Sequence, residues 1–123
     1  MGAAVISPQA AVTVAVAEDH PVVREGLAGL FAGEGGFTVA GSAGSAPELR
    51  LLLGQQPPQV LVMDLMLHEA DGLALIKDLA SLHPSLRLVV FSLQAEDIYA
   101  ERCLRAGAHG YVMKMEPVAT LFA

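Results

Sequence analysis

The chain has a single cysteine, Cys103, so neither an intrachain disulfide framework nor a cysteine-based zinc site can form. Such cysteine usage suits a reducing compartment, and a cytoplasmic location is expected. Basic residues are also few. Lys and Arg number 7 against 13 Asp and Glu, a formal charge of −6, and the basic footprint that nucleic acid requires is missing. No apolar run is long enough to span a membrane. Residues 1–17 are uncharged, but Pro8 interrupts them and the first basic residue is Arg24, which excludes a secretory signal peptide. Ile6 stands where a myristoylation motif needs Ser or Thr. No histidine spacing reads as a zinc site. What remains is 54 % apolar and only 16 % charged, which excludes global disorder. A chain of 123 residues is one domain and can bury its own core. Residues 1–11 are expected to form a flexible leader, and residues 12–123 the domain.

Five short apolar runs stand out: Val12–Ala17, Phe37–Ser42, Val60–Met63, Arg87–Phe91 and Gly110–Met113. Most lack strict polar alternation, as strands buried on both faces do. Helical segments separate them. Pro21 fits a first helical position, and Val23, Leu27, Leu30 and Phe31 then trace one apolar stripe until Gly33, Gly35 and Gly36 stop the helix. Ser45 can cap a helix over Ala46–Gln55, and Asp71 one over Gly72–Leu82, with Leu75, Leu79 and Leu82 on a common face. Gln94–Ala106 forms a fourth helix closed by Gly107, and Glu116–Phe122 begins a fifth. Strand and helix thus alternate with a period of about 25 residues, which argues for a parallel sheet covered on both faces. Five strands are too few for an eight-stranded barrel. The expected fold is α/β: a doubly wound five-stranded parallel sheet of order 2-1-3-4-5 in a flavodoxin-like three-layer sandwich.

In such a sheet, ligands bind beyond the carboxyl ends of the strands where the order reverses, here between strands 1 and 3. Strand 1 ends in Glu18-Asp19 and strand 3 in Asp64, so three carboxylates converge there. Close like charges repel and raise each other's pKa values, and a hard divalent cation such as Mg2+ removes the problem. Capping of helix 1 by Asp19 or His20 is a lesser explanation, since it leaves Asp64 unaccounted for. Strand 5 ends in Lys114 and strand 4 in Ser92, which puts an ammonium and a hydroxyl at the same rim. That set fits phosphoryl transfer to a carboxylate, with Asp64 as nucleophile and with Lys114 and Ser92 stabilising the product.

Four segments carry a family resemblance: E-D-H-P-V-V-R-E-G-L (18–27), V-L-V-M-D-L (60–65), V-V-F-S (89–92) and A-G-A-H-G-Y-V-M-K (106–114). In that order and spacing they resemble the receiver domain of bacterial two-component response regulators, the CheY-like fold, in its NarL/FixJ-type subgroup. The resemblance covers about residues 12–120. It implies that Asp64 accepts a phosphoryl group from a cognate histidine kinase. It implies that Asp19 binds Mg2+ directly, Glu18 through water, and the Met66 backbone carbonyl as a further ligand. Ser92 falls at the switch hydroxyl, Lys114 at the family's lysine position, and Tyr111 at the aromatic that turns inward when Ser92 moves. The resemblance further implies a homodimer on phosphorylation, DNA contact only through an output domain absent from this chain, and no membrane contact. Receivers catalyse only their own phosphorylation and dephosphorylation, so the chain is read as a signalling domain and not an enzyme.

Two departures stand against the family pattern. Leu67-His68 replaces the usual Met-Pro after the phosphoacceptor, which removes a φ restraint and adds a titratable ring. His68 is read as a solvated loop residue, and His83 and His109 as surface residues. The chain also ends at Ala123 within the fifth helix, where subgroup members continue into a DNA-binding domain, so a fragment of a longer regulator is expected. A flavin or dinucleotide domain is disfavoured, because the acidic turn after strand 1 would repel a phosphate and no G-x-G-x-x-G follows a strand. An aspartyl phosphatase is disfavoured because Met66 stands where such enzymes carry a second acid. A phosphorylation-independent receiver, acting as a protein-interaction module, is the alternative that the 66–68 loop keeps open.

Overall fold

The computed structural model describes residues 11–67, 71–92 and 96–114. Val12–Ala17 forms β1, Pro21–Gly33 α1, Phe37–Ala43 β2, Ala46–Gln55 α2, Val60–Met63 β3, Gly72–Leu82 α3, Arg87–Ser92 β4, Glu96–Ala106 α4 and Gly110–Met113 β5. The strands make one sheet in the order β2-β1-β3-β4-β5, and every pairing is parallel. Strands 2 and 4 each run one residue further than the apolar runs predict, so Ser92 is the last residue of β4. The expected leader over residues 1–11, except Ala11, lies outside the described residues. So do the expected start of α4 at Gln94, the fifth helix at Glu116–Phe122, and His68.

The pleat of the strands sorts the core onto two faces. Ala15, Ala17, Leu61, Met63, Leu88 and Val90 pack with Leu49 and Leu53 of α2, Leu75, Ile76 and Leu79 of α3, and Cys103 of α4. Val14, Val16, Val62, Phe91 and Val112 face the other way, against Leu27 and Phe31 of α1. The Phe31 and Phe37 rings meet edge to face at 5.2 Å. Two expected core positions are not buried. Leu30 lies outward on α1, while Leu27 and Phe31 are buried and Val23 packs partly buried beside them. Leu82 is 65 % exposed, because it is the last residue of α3 and projects past the sheet; Ile76 fills the face instead.

The helix starts are set by local chemistry. Ser45 Oγ accepts from the Glu48 N–H, and Glu48 Oε1 reaches back to the Gly44 N–H, a capping box at α2. Asp71 Oδ1 accepts from the Ala74 N–H at α3. Pro21 opens α1 after His20, whose side chain makes no capping bond. Gly107 ends α4 with φ +126, a conformation that L side chains rarely adopt. Gly72 serves a different need: a Cβ there would stand 2.0 Å from the Leu65 carbonyl oxygen, so only glycine lets α3 start against the loop after β3. Among the described residues, no helix is long and apolar enough to cross a membrane.

Candidate functional site

β1 and β3 are neighbours with α-carbons in register, Ala17 opposite Met63. The residues that follow, Glu18 and Asp64, therefore leave the sheet side by side, and the Asp64 N–H still bonds the Ala17 carbonyl at 2.9 Å. Both side chains are buried, Glu18 to 1 % exposure and Asp64 to 6 %. β5 reaches the same end of the sheet. The Lys114 N–H donates to the Ser92 carbonyl at 2.8 Å, which ties the tip of β5 to the tip of β4. From there the Lys114 ammonium donates to Glu18 Oε1 at 2.8 Å and to Asp64 Oδ2 at 3.2 Å. It also lies 5.9 Å from the centre of the Phe91 ring. The second oxygen of Asp64, Oδ1, accepts from the Met66 N–H at 3.0 Å. Asp64 is thus fixed through both oxygens.

The groups expected from the sequence stand as follows. Glu18, Asp19, Asp64 and Lys114 come together. Ser92 is fully buried at the end of β4, adjacent to the Lys114 backbone. Tyr111 lies opposite Val90 on β5, half-buried against the core face that carries α4. Met66 is exposed and its N–H turns back on Asp64, while Leu67 is buried. A small pocket of about 210 Å³ opens beside this turn, lined by Leu65, Met66, Asp71, Gly72, Leu73 and Tyr99. A second groove, lined by Pro57, Pro58, Leu82 and His83 among others, lies at the opposite end of the strands and takes no part in the site.

Three features of the site have no clear trace in the sequence. Arg24 of α1 donates from Nη1 to the Glu18 backbone carbonyl at 2.9 Å and so holds the end of β1. The one available signal is its place in the first turns after Pro21. The Phe91 ring beneath Lys114 is the second, and the Met66 N–H the third. His109 is exposed as expected, yet its Nδ1 accepts from the Leu88 N–H at 3.0 Å and extends the β4–β5 pairing by a side chain.

The electrostatics follow from this packing. Burial pushes the Glu18 carboxyl above its ordinary range, and the hydrogen bond it shares with Asp64 adds to this, against the pull of Lys114. Burial acts on Asp64 in the same direction but is outweighed. The Glu18 carboxyl, the Met66 N–H and the Lys114 charge together hold Asp64 below the usual carboxylate range. Burial alone would lower Lys114, and the two carboxylates override it and hold the ammonium above its ordinary value. The two neighbouring carboxyls are thus pushed in opposite directions, Glu18 up and Asp64 down.

The donor set fits a hard divalent cation. Ligand atoms of Glu18, Asp19, His20 and Asp64 all lie within 4.8 Å of one another. Two of the carboxylate oxygens, Glu18 Oε2 and Asp19 Oδ1, are buried without a hydrogen-bond partner. Buried carboxylate oxygens without a hydrogen bond are costly, and a divalent cation would satisfy such a donor set.

Comparison with known proteins agrees with this architecture. The chain is 33 % identical over 103 residues to the transcriptional regulatory protein YxjL of Bacillus subtilis, covering 84 % of this chain and 47 % of that one. It is 36 % identical over 103 residues to the DNA-binding transcriptional activator DevR/DosR of Mycobacterium tuberculosis, covering 84 % and 48 %. It therefore spans about half the length of these relatives. A LuxR-family two-component response regulator from Aurantimonas sp. SI85-9A1 superposes with a TM-score of 0.85 at 29 % identity, over 92 % of this chain and 81 % of that one. Residues 14–123 match the family model described as the response regulator receiver domain, and the chain belongs to that family.

Proposed function

We propose that this domain is a phosphorylation-dependent signalling switch in which Asp64 accepts a phosphoryl group from a histidine kinase. The observation that carries the reading is the placement of Asp64: an ionised carboxylate fixed through both oxygens, one of them on the half-buried cation Lys114. One Asp64 oxygen attacks the phosphorus of phosphohistidine. An O–P bond forms, the P–N bond breaks, and the imidazole leaves with a proton from solvent. The product is an acyl phosphate on Asp64.

Each neighbour has a part. Glu18, Asp19, Asp64 and the Met66 backbone carbonyl are the residues that would hold Mg2+. When bound there, the ion neutralises phosphoryl oxygens and orients the donor. Lys114 already bridges Glu18 and Asp64, and it turns its charge to the phosphoryl oxygens as they arrive. Ser92 supplies the hydroxyl that follows the phosphoryl group, and Tyr111 on the neighbouring strand repacks with it. Arg24 acts through Glu18, as a positioning residue.

Phosphorylation adds nearly two negative charges at the end of the sheet. Moving a switch from 1:99 to 99:1 needs about 5.5 kcal/mol of preference for the active state. A few charge-assisted bonds of roughly 1.5–3 kcal/mol each supply it. The domain has no released product to turn over. Its output passes to a dimer partner and to a DNA-binding segment of the parent protein, a role supported by the description of DevR/DosR as a DNA-binding activator.

The test is intact mass after incubation with Mg2+ and acetyl phosphate, beside Asp64→Asn. One phosphoryl adduct on the wild type and none on the variant is the expected result. No adduct at any time, together with no Mg2+-dependent binding of beryllium fluoride, would overturn the switch and leave a phosphorylation-independent interaction module.

A further inference from the structure

We infer that His20 is a nitrogen ligand of the cation held by Glu18, Asp19 and Asp64, and that it biases the site toward first-row transition ions such as Mn2+ and Co2+ over Mg2+. The inference rests on the reading of this acidic pocket as a cation site.

The geometry places the ring there. His20 Nδ1 stands 3.0 Å from Asp19 Oδ1 and 3.5 Å from Glu18 Oε1. In an octahedral shell with bonds of about 2.1 Å, adjacent ligand atoms stand about 3 Å apart. Asp19 Oδ1 has no hydrogen-bond partner even so. The two atoms are at ion-pair distance, and the same spacing is that of two adjacent ligands of one ion. The buried, unpaired Glu18 Oε2 is a second and separate sign that the pocket is built around something positive.

Local backbone holds the ring in place. His20 precedes Pro21 and is confined to extended backbone, at φ −85 and ψ 113. Its side chain does not cap α1, so helix geometry makes no use of it. The side chain is 70 % exposed, which leaves the ring open to an incoming ion.

Chemistry then sets the preference. Mg2+ favours oxygen ligands and retained water, whereas imidazole suits borderline ions. A pocket of three carboxylates would discriminate weakly in favour of Mn2+ or Co2+. Adding one imidazole widens the margin for those ions and leaves Mg2+ nearly unaffected.

The experiment is pulsed EPR of Mn2+ bound to the whole chain, with and without 15N-histidine labelling, beside calorimetric titration with Mn2+ and with Mg2+. The expected result is a nitrogen coupling that changes on labelling and is absent in His20→Asn. Mn2+ affinity should fall about tenfold in that variant, and Mg2+ affinity less than about twofold. His20→Asp keeps a ligand but no nitrogen, so it should bind both ions without the coupling. Mn2+ binding with no histidine coupling, or a coupling that survives in His20→Asn, would overturn the inference while leaving the cation site intact. Failure of both ions to bind would overturn the inference together with the reading it rests on.

Discussion

At the scale of single residues, the site is governed by one ammonium shared between two buried acids. Removing it should be felt first as instability. Lys114→Met leaves Glu18 and Asp64 without their cation, at a cost of about 3 kcal/mol in metal-free buffer. Saturating Mg2+ should recover part of that loss, and urea melts with and without the ion measure both. The pH behaviour of Glu18 has a definite sign. Its carboxyl holds its proton to higher pH in the folded state than in the unfolded chain. Stability is therefore lost as pH rises from the unfolded value, about 4.3, through the folded one. Glu18→Gln cannot ionise and escapes that loss. In metal-free urea melts, its stability relative to wild type should grow as pH rises above about 4; parallel curves would refute the account.

Much of this was legible in the sequence, because strand ends are easy to locate and the candidate site residues follow them directly. Glu18, Asp19, Asp64, Ser92 and Lys114 all sit at or just past the end of an apolar run. Arg24, the Met66 N–H and the Phe91 ring were not legible for a physical reason. Each acts on a backbone atom, through a backbone atom, or by lying beneath another group. None of those roles leaves a residue-type pattern.

At the scale of elements, two helix starts carry the same kind of sequence mark, and one of them, α3, borders the site. Ser45 and Asp71 announce α2 and α3 by capping chemistry that any reader of the sequence can find. Leu30 and Leu82 misled, since helical spacing fixes which residues share a stripe but not where the sheet stops. The close approach of α3 to the loop after β3 is likewise invisible until the chain is folded. Gly72→Ala puts a methyl 2.0 Å from the Leu65 carbonyl oxygen, and backbone must move to admit it. The expected cost is roughly 1–3 kcal/mol, with weaker Mg2+ binding because the same loop carries Met66. Asp71→Ala should cost about 1 kcal/mol through the lost cap and change ion affinity much less. Thermal melts and calorimetry on the two variants separate the effects.

At the scale of the whole molecule, the fold keeps chemistry and core apart. Both faces of the sheet are occupied by hydrophobic packing, and the polar groups collect along one end. An ion that binds only the folded state must then raise its stability by mass action. The melting temperature should climb with Mg2+ concentration, and Asp19→Asn should flatten the climb. A flat response in the wild type would count against a cation site of any kind.

Ser92 and Lys114 hang from adjacent, paired strand ends, with the Lys114 N–H bonded to the Ser92 carbonyl at 2.8 Å. Mechanically they are two prongs of one fork, so neither can be pulled without loading the other. The fork's outer prong belongs to β5, which has a strand neighbour on one side only. At that margin fewer ladder bonds resist a displacement than at β1 or β3, each of which is paired on both sides. A displacement of Ser92 or Lys114 is therefore opposed from one side less than a displacement at the centre of the sheet would be.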